Sequence, residues 1–158
     1  MPHIHEKIDF TAEVFVVYQD KVLLRKHDKY KMWLGVGGHI ELDEDPNQAA
    51  VREVKEEVGL DVIIADEHRS FQREEPDYRE LIPPQFLNRH HVSDTHEHIT
   101  LTYFARAATD KVIMPDNHEK SDEIKWFMRR ELEENKYGIP ETIRQYALAA
   151  LEELAIKG

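Results

Sequence analysis

The sequence predicts an α/β fold: an α/β/α sandwich with a mixed β-sheet, formed as one domain over residues 1–158. Two observations carry this expectation. Strand-like runs stand on both sides of a single well-delimited helix, and the chain ends in a second, amphipathic helix. The chain is long enough to bury most of its apolar surface, and its 41% hydrophobic share is that of a globular protein.

In chain order, Met1 to Asp9 is polar and reads as partly ordered at its start. Phe10 to Tyr18 reads as a strand, because Val14-Phe15-Val16-Val17-Tyr18 is the near-continuous β-prone run of a strand covered on both faces. Gln19-Asp20 reads as a tight turn and Lys21 to Lys26 as the returning strand. Trp33 reads as a packing residue, and Gly35-Val36-Gly37-Gly38 as backbone able to approach a metal or phosphate closely. The following helix is bounded by Asp45 as N-cap, Pro46 in the first turn, Gln48 completing a capping box, and Gly59 as left-handed stop. Ala50, Val54 and Val58, with Val51 beside them, form its expected core stripe.

Beyond the helix, Asp61 to Ala65 reads as a strand, which Glu67 to Phe71 would extend past a break. Arg73 to Leu87, interrupted by Pro76, Pro83 and Pro84, reads as a long lid or recognition loop. The alternation of Ile99, Leu101, Tyr103 and Ala105 with polar and aromatic neighbours marks a strand. Thr109 to Ser121 reads as a polar connection, Glu123 to Met128 as a short strand, and Glu131 to Asn135 as a helical turn broken by Gly138. After Ile139-Pro140, Ile143, Ala147, Ala150, Leu151 and Leu154 give the last helix an apolar stripe.

Composition excludes several functions. A formal charge of −11 disfavours binding to a nucleic-acid backbone. With no cysteine there is no disulfide, thiolate nucleophile or cysteine-ligated zinc. No apolar run approaches a membrane span, and the N-terminus lacks the apolar stretch of a signal peptide, so the expected compartment is the cytoplasm. Oligomeric state is left open.

On the central helix, Glu53, Glu56 and Glu57 are spaced three and four apart, next to Arg52. A solvated acidic face and a site for a hard, oxygen-seeking cation are both compatible with that spacing. The wider pattern is more specific. Gly38, five residues, Glu44, seven residues, Arg52-Glu53-Val54, Lys55, Glu56-Glu57, Val58 and Gly59-Leu60 match every fixed position of the Nudix box. Here the chain resembles the Nudix hydrolases, although Val36 stands where many relatives have a proline before the glycine pair.

The resemblance implies hydrolysis of a small, nucleotide-derived diphosphate with Mg²⁺ or Mn²⁺. Carried over by position, Glu56 and Glu57 would be metal ligands, joined by the carbonyl of Gly37. Glu53 would be a further ligand or the catalytic base. Arg52 would orient the glutamates and Glu44 would support the loop. Several relatives recruit another acidic residue from a later strand, which points to Glu97. A bound cation would offset the charge of the diphosphate and lower the pKa of its water. A non-catalytic nucleotide sensor on the same fold is a rival reading. An isopentenyl-diphosphate isomerase-like enzyme is a weaker one, since those isomerases use a cysteine.

Substrate contacts are sought outside the box. Arg25, in the basic run through Lys26, Lys29 and Lys31, either reaches phosphate or is solvated. Tyr78, Arg89 and His96 are candidates for base, sugar or phosphate contact. Pro76 and Tyr78 lie where some Nudix subgroups are distinguished, by proline for ADP-ribose and by tyrosine for dinucleoside polyphosphates, and together they select neither. His90, His91, His96 and His98 admit three readings: a zinc site, ligand-binding donors, or structural histidines.

Overall fold

The computed structural model describes residues 5–66, 73–114 and 123–156. Ten strands and three helices follow in the order β1 (Ile8–Tyr18), β2 (Lys21–Lys26), β3 (Trp33–Leu34), β4 (Val36–His39), α1 (Pro46–Val58), β5 (Val62–Ile64), β6 (Glu74–Glu75), β7 (Tyr78–Arg79), β8 (Phe86–His91), β9 (Glu97–Ala107), β10 (Glu123–Met128), α2 (Arg129–Glu134) and α3 (Glu141–Leu154). Eight of the strands form a mixed sheet whose only parallel pair among the described residues is β1 with β9, from Ile8↔Glu97 to Val17↔Arg106.

Strand alternation divides the core between the two faces. Ala12, Val14 and Val16 of β1 pack with Ala49, Ala50, Val54 and Val58 of α1. Phe15 and Val17, with Phe104, pack under α2 and α3 through Leu132, Ile143, Ala147 and Leu151. The expected α/β/α sandwich is therefore present. Complete burial of Val54 and Val58 contributes about 1.5–3 kcal/mol each. Val51 is turned outward, and Ala49 takes the place beside Ala50. On α3 the buried residues are the five of the expected stripe.

Both central strands change partners along their length. The C-terminal end of β1 pairs with β2 and its N-terminal half with β4, while β9 pairs first with β8 and then with β5. The β1 edge forks at Gly35, between β3 on β2 and β4 on β1. The glycine run expected to let the backbone approach a metal or phosphate forms strand β4 from Val36 onward, paired antiparallel with β1.

Two other expectations change. Arg73 to Leu87 contains the β6–β7 hairpin, which reverses at Pro76-Asp77, and the start of β8. Asn47 fastens the chain beyond this hairpin to α1 by accepting from the Ile82 N–H at 2.8 Å and donating to the Ile82 carbonyl at 2.9 Å. Asn88 to His91 belong to β8, which runs antiparallel to β9. The expected extension over residues 67–71 and the later part of the 109–121 connection lie outside the described residues.

Helix α1 has the predicted ends. The Asp45 carboxylate accepts from the Gln48 N–H, the Gln48 side chain accepts from the Asp45 N–H, and Gly59 closes at φ 72°. A Cβ at Gly59 would stand 2.5 Å from the Ile113 carbonyl oxygen, whereas Gly138, at φ 67°, has open space. Gly138→Ala is expected to cost about 1–2 kcal/mol from backbone conformation alone. Gly59→Ala should cost clearly more in urea unfolding, and equal losses would show that the Ile113 contact yields freely.

Candidate active site

The fork in the sheet and the inner face of α1 bring the predicted carboxylates together. Glu53 is 4% exposed, and its carboxylate lies against Gly38, where a Cβ would come within 2.5 Å of Oε1. Only glycine leaves room for that carboxylate beside β4. Glu57 accepts from the Gly37 N–H at 3.3 Å and pairs with Arg25 Nε at 3.0 Å. Glu56 is more exposed, at the mouth of the cluster.

Arg52 organises these groups. Its Nη1 donates to Glu53 Oε1 and Glu56 Oε2, both at 3.0 Å. Its Nε and Nη2 fork onto Glu44, with Nη2 to Oε1 at 2.6 Å, and Nη2 also donates to the His39 carbonyl at 3.1 Å. Glu44 accepts from the Glu41 N–H at 3.0 Å, so it holds the loop before α1 as well as the guanidinium. These bonds to Arg52 keep the Glu44 carboxyl below the ordinary carboxylate range. Burial pushes Glu53 upward, against the pull of Arg52.

When ionised, Glu44, Glu53, Glu56 and Glu57 exceed Arg25 and Arg52 by two negative charges. Clustered carboxylate oxygens are the donor set a hard divalent cation takes, and the Gly37–Gly38 backbone passes close beside them. The donor chemistry fits Mg²⁺ or Mn²⁺, with Glu53, Glu56, Glu57 and the Gly37 carbonyl as the groups available to hold it.

Of the remaining predicted site residues, the structure brings Arg25 to the cluster and places the others away from it. Arg25 joins the cluster through Glu57. Glu97 lies four residues along β9 from Leu101, the partner of Ala12, which in turn faces Gly38; at 3.3 Å per residue this is about 13 Å of strand. It forms a two-point pair with Arg89, at 2.7 and 2.8 Å, which holds its carboxyl below the usual range. Tyr78 is exposed on the hairpin and donates to Glu80. His96 is buried at 6% exposure against Asp9.

An open cleft of about 1000 Å³ runs along the outer side of α1, from Arg52 and Glu56 to Arg73, Arg79 and Ile82. Tyr78 lines an adjoining recess. Sequence reasoning did not single out Glu13, Asp9 or His39. Glu13 stands in the fork, where it accepts from the Gly35 N–H at 3.1 Å; burial drives its carboxyl up to about 7 despite that bond and the nearby Arg25. Its place in an apolar strand gave one signal, an isolated acid between Ala12 and Val14. Asp9 and His39 meet only through strand pairing, with His39 Nε2 3.4 Å from Asp9 Oδ2.

Comparison with known proteins adds independent findings. A family model described as the NUDIX domain matches residues 9–147. A Nudix-family hydrolase from Clostridium perfringens superposes with a TM-score of 0.78 at 33% identity, covering 92% of this chain and 97% of that one. A Nudix hydrolase from Nitrosomonas europaea gives 0.64 at 16% identity, covering 93% and 90%, a likeness of fold. The CTP pyrophosphohydrolase of Escherichia coli K12 is 38% identical over 58 residues, covering 34% of this chain and 43% of its own length. The chain thus spans less than half of that curated relative.

The raised Glu13 pKa sets a pH dependence. Between pH 4.5 and about 7 the folded state holds a proton that the unfolded chain has released, so this group's contribution to stability falls as pH rises through that window. Glu13→Gln removes the effect. The variant should gain on wild type by on the order of 3 kcal/mol between pH 4.5 and 8, as each pKa unit is worth about 1.4 kcal/mol. Urea unfolding in EDTA measures the difference, and a constant offset between variant and wild type across that range would contradict it.

Proposed function

The chain belongs to the Nudix family, and from that premise we propose that it is a metal-dependent pyrophosphohydrolase that attacks a phosphorus of a nucleoside diphosphate linked to another moiety. The observation that carries this reading is the set Glu53, Glu56 and Glu57, gathered beside Gly37–Gly38 and held there by Arg52. Mg²⁺ or Mn²⁺ bound to that set would supply charge neutralisation for the acid anhydride and a more acidic water.

The chain's own groups have separable tasks. Arg52 fixes the directions of Glu53 and Glu56, and Glu44 fixes Arg52. Glu53, whose pKa is raised by burial, is suited to take the proton of the attacking water, because a base works best when its pKa approaches the operating pH. Arg25 stands beside Glu57, where a phosphate oxygen would also meet it. Glu97 could join the ligands only after leaving Arg89 and crossing the offset along β9.

The diphosphate is common to every substrate of this class, so selection falls to the other half of the molecule. The cleft beside Glu56 supports a nucleotide-derived substrate: Arg73 and Arg79 can meet phosphates, and Val51, Ile63 and Ile64 offer apolar surface to a base. Tyr78 stands next to this space and Arg89 on the far side of the sheet from α3. His96 is turned inward.

Three measurements test the reading. Nucleoside triphosphates, nucleotide sugars and dinucleoside polyphosphates are incubated with Mg²⁺ or Mn²⁺ and the products separated; at least one should be cleaved at a diphosphate. Glu53→Gln should lower kcat by about 10²–10⁴-fold with little loss of substrate binding. Glu56→Gln and Glu57→Gln should weaken the metal titration, whereas Tyr78→Ala should raise KM and leave that titration alone. Tight nucleotide binding without turnover of any substrate would replace the hydrolase by a nucleotide sensor.

A further inference from the structure

On the face of β4 opposite the glutamates lies a second group of ligating side chains. Gly38 faces Glu53, while the next residue, His39, projects to the other side of the sheet toward Asp9 and His98. The pairing registers place it there: His39 lies opposite Thr11 on β4–β1, and Asp9 opposite His98 on β1–β9. One ligand atom each from Asp9, His39 and His98 falls within 4.8 Å of the others. Asp9 is 1% exposed, His39 9% and His96 6%.

Two of the distances suit a small tetrahedral ion. Bonds of about 2.0–2.1 Å in a tetrahedron put neighbouring ligand atoms about 3.3–3.4 Å apart. Asp9 Oδ2 stands 3.4 Å from His39 Nε2 and 3.3 Å from His96 Nε2. The other carboxylate oxygen, Oδ1, accepts from the His5 N–H at 2.7 Å, which fixes how the carboxylate is turned. His96 Nδ1 lies 3.0 Å from the Glu6 carbonyl oxygen, an acceptor only, so Nδ1 carries the proton. The other ring nitrogen, Nε2, then faces Asp9 Oδ2, and a cation placed there would meet both. An imidazole whose far nitrogen donates to a backbone carbonyl is also the usual posture of a metal-bound histidine. The rings of His39 and His96 stand edge to face with that of His98, at 5.0 and 5.2 Å between centroids.

We propose that Asp9, His39 and His98, with His96 completing the set, form a second metal site that takes a transition ion of the zinc class. Imidazole nitrogen with one carboxylate selects such ions, whereas the all-oxygen set on α1 selects Mg²⁺ or Mn²⁺. The site would tie β4, which carries Gly37 and Gly38, to β1, β9 and the chain at His5–Glu6. It stands apart from the proposed hydrolysis, since none of its side chains belongs to the glutamate set.

Co²⁺, whose visible spectrum reports nitrogen ligation and coordination number, is titrated into the full chain with Mg²⁺ in excess. One equivalent should bind with a tetrahedral spectrum, and Zn²⁺ should displace it. The signal should survive in the Glu56→Gln/Glu57→Gln double variant. Asp9→Asn and His98→Gln should each weaken it by about 100-fold or more, beyond the 10–100-fold that loss of an outer partner costs. Should those variants fail to fold, ring-nitrogen NMR of the wild-type chain decides: Zn²⁺ should move the His39, His96 and His98 resonances and leave His27 in place. No Co²⁺ spectrum in the wild type, a signal that follows the glutamates, or unmoved ring nitrogens would each overturn the site.

Discussion

The guanidinium of Arg52 is the constraint on which the candidate active site depends. Glu44, Glu53 and Glu56 all approach one cation, and Glu57 has its own in Arg25. Without them the like charges would repel, by about 4 kcal/mol per pair at 4 Å and an effective dielectric of 20. Arg52 spreads its donors over three carboxylates and the His39 carbonyl. A lysine ammonium, a point charge with three donors, could not span the same set. One side chain thereby joins the loop, β4 and α1 into a unit.

That unit needs a strand that carries no side chain where the Glu53 carboxylate meets it. β4 meets this condition because it is short and glycine-rich. Gly38 leaves space for Glu53, β4 pairs with the β1 edge, and the Gly37 N–H is left to Glu57. The fork that frees β4 from β3 is occupied by Glu13, whose carboxylate takes the Gly35 N–H that the sheet does not. A buried acid in this place costs stability once ionised, and the cost sits where the strand must diverge to reach the helix.

The parallel β1–β9 pair sets the wider geometry. It fixes which residues share a face, so Phe15 meets Phe104 under α3 while Asp9 meets His98 at the other end of the same face. Apolar residues fill the end covered by α3, and polar ones collect toward the other end: Asp9, Thr11, His98 and Thr100. Thr11 and Thr100 hydrogen-bond across the pair at 2.7 Å, which keeps this polar end ordered.

The sequence by itself determined what depends on local spacing. The limits of α1 were legible because caps and stops act within a turn: Asp45, Gln48 and Gly59 each bond to neighbours a few residues away. The glutamate spacing and the α3 stripe were legible for the same reason, since helical periodicity converts spacing directly into a shared face. Tertiary structure decided whatever required distant segments to meet. Val51 had a core-compatible position on α1 yet lies outside, because the sheet surface covers Ala49 instead. Tyr78, Arg89, Glu97 and His96 lie within one stretch of chain, but Tyr78 sits on the β6–β7 hairpin, the β8–β9 pairing joins Arg89 to Glu97, and His96 is turned inward. Asp9 and His39, thirty residues apart, become partners only through the registers of β4 on β1 and β1 on β9, and register is a property of paired strands that no single segment carries.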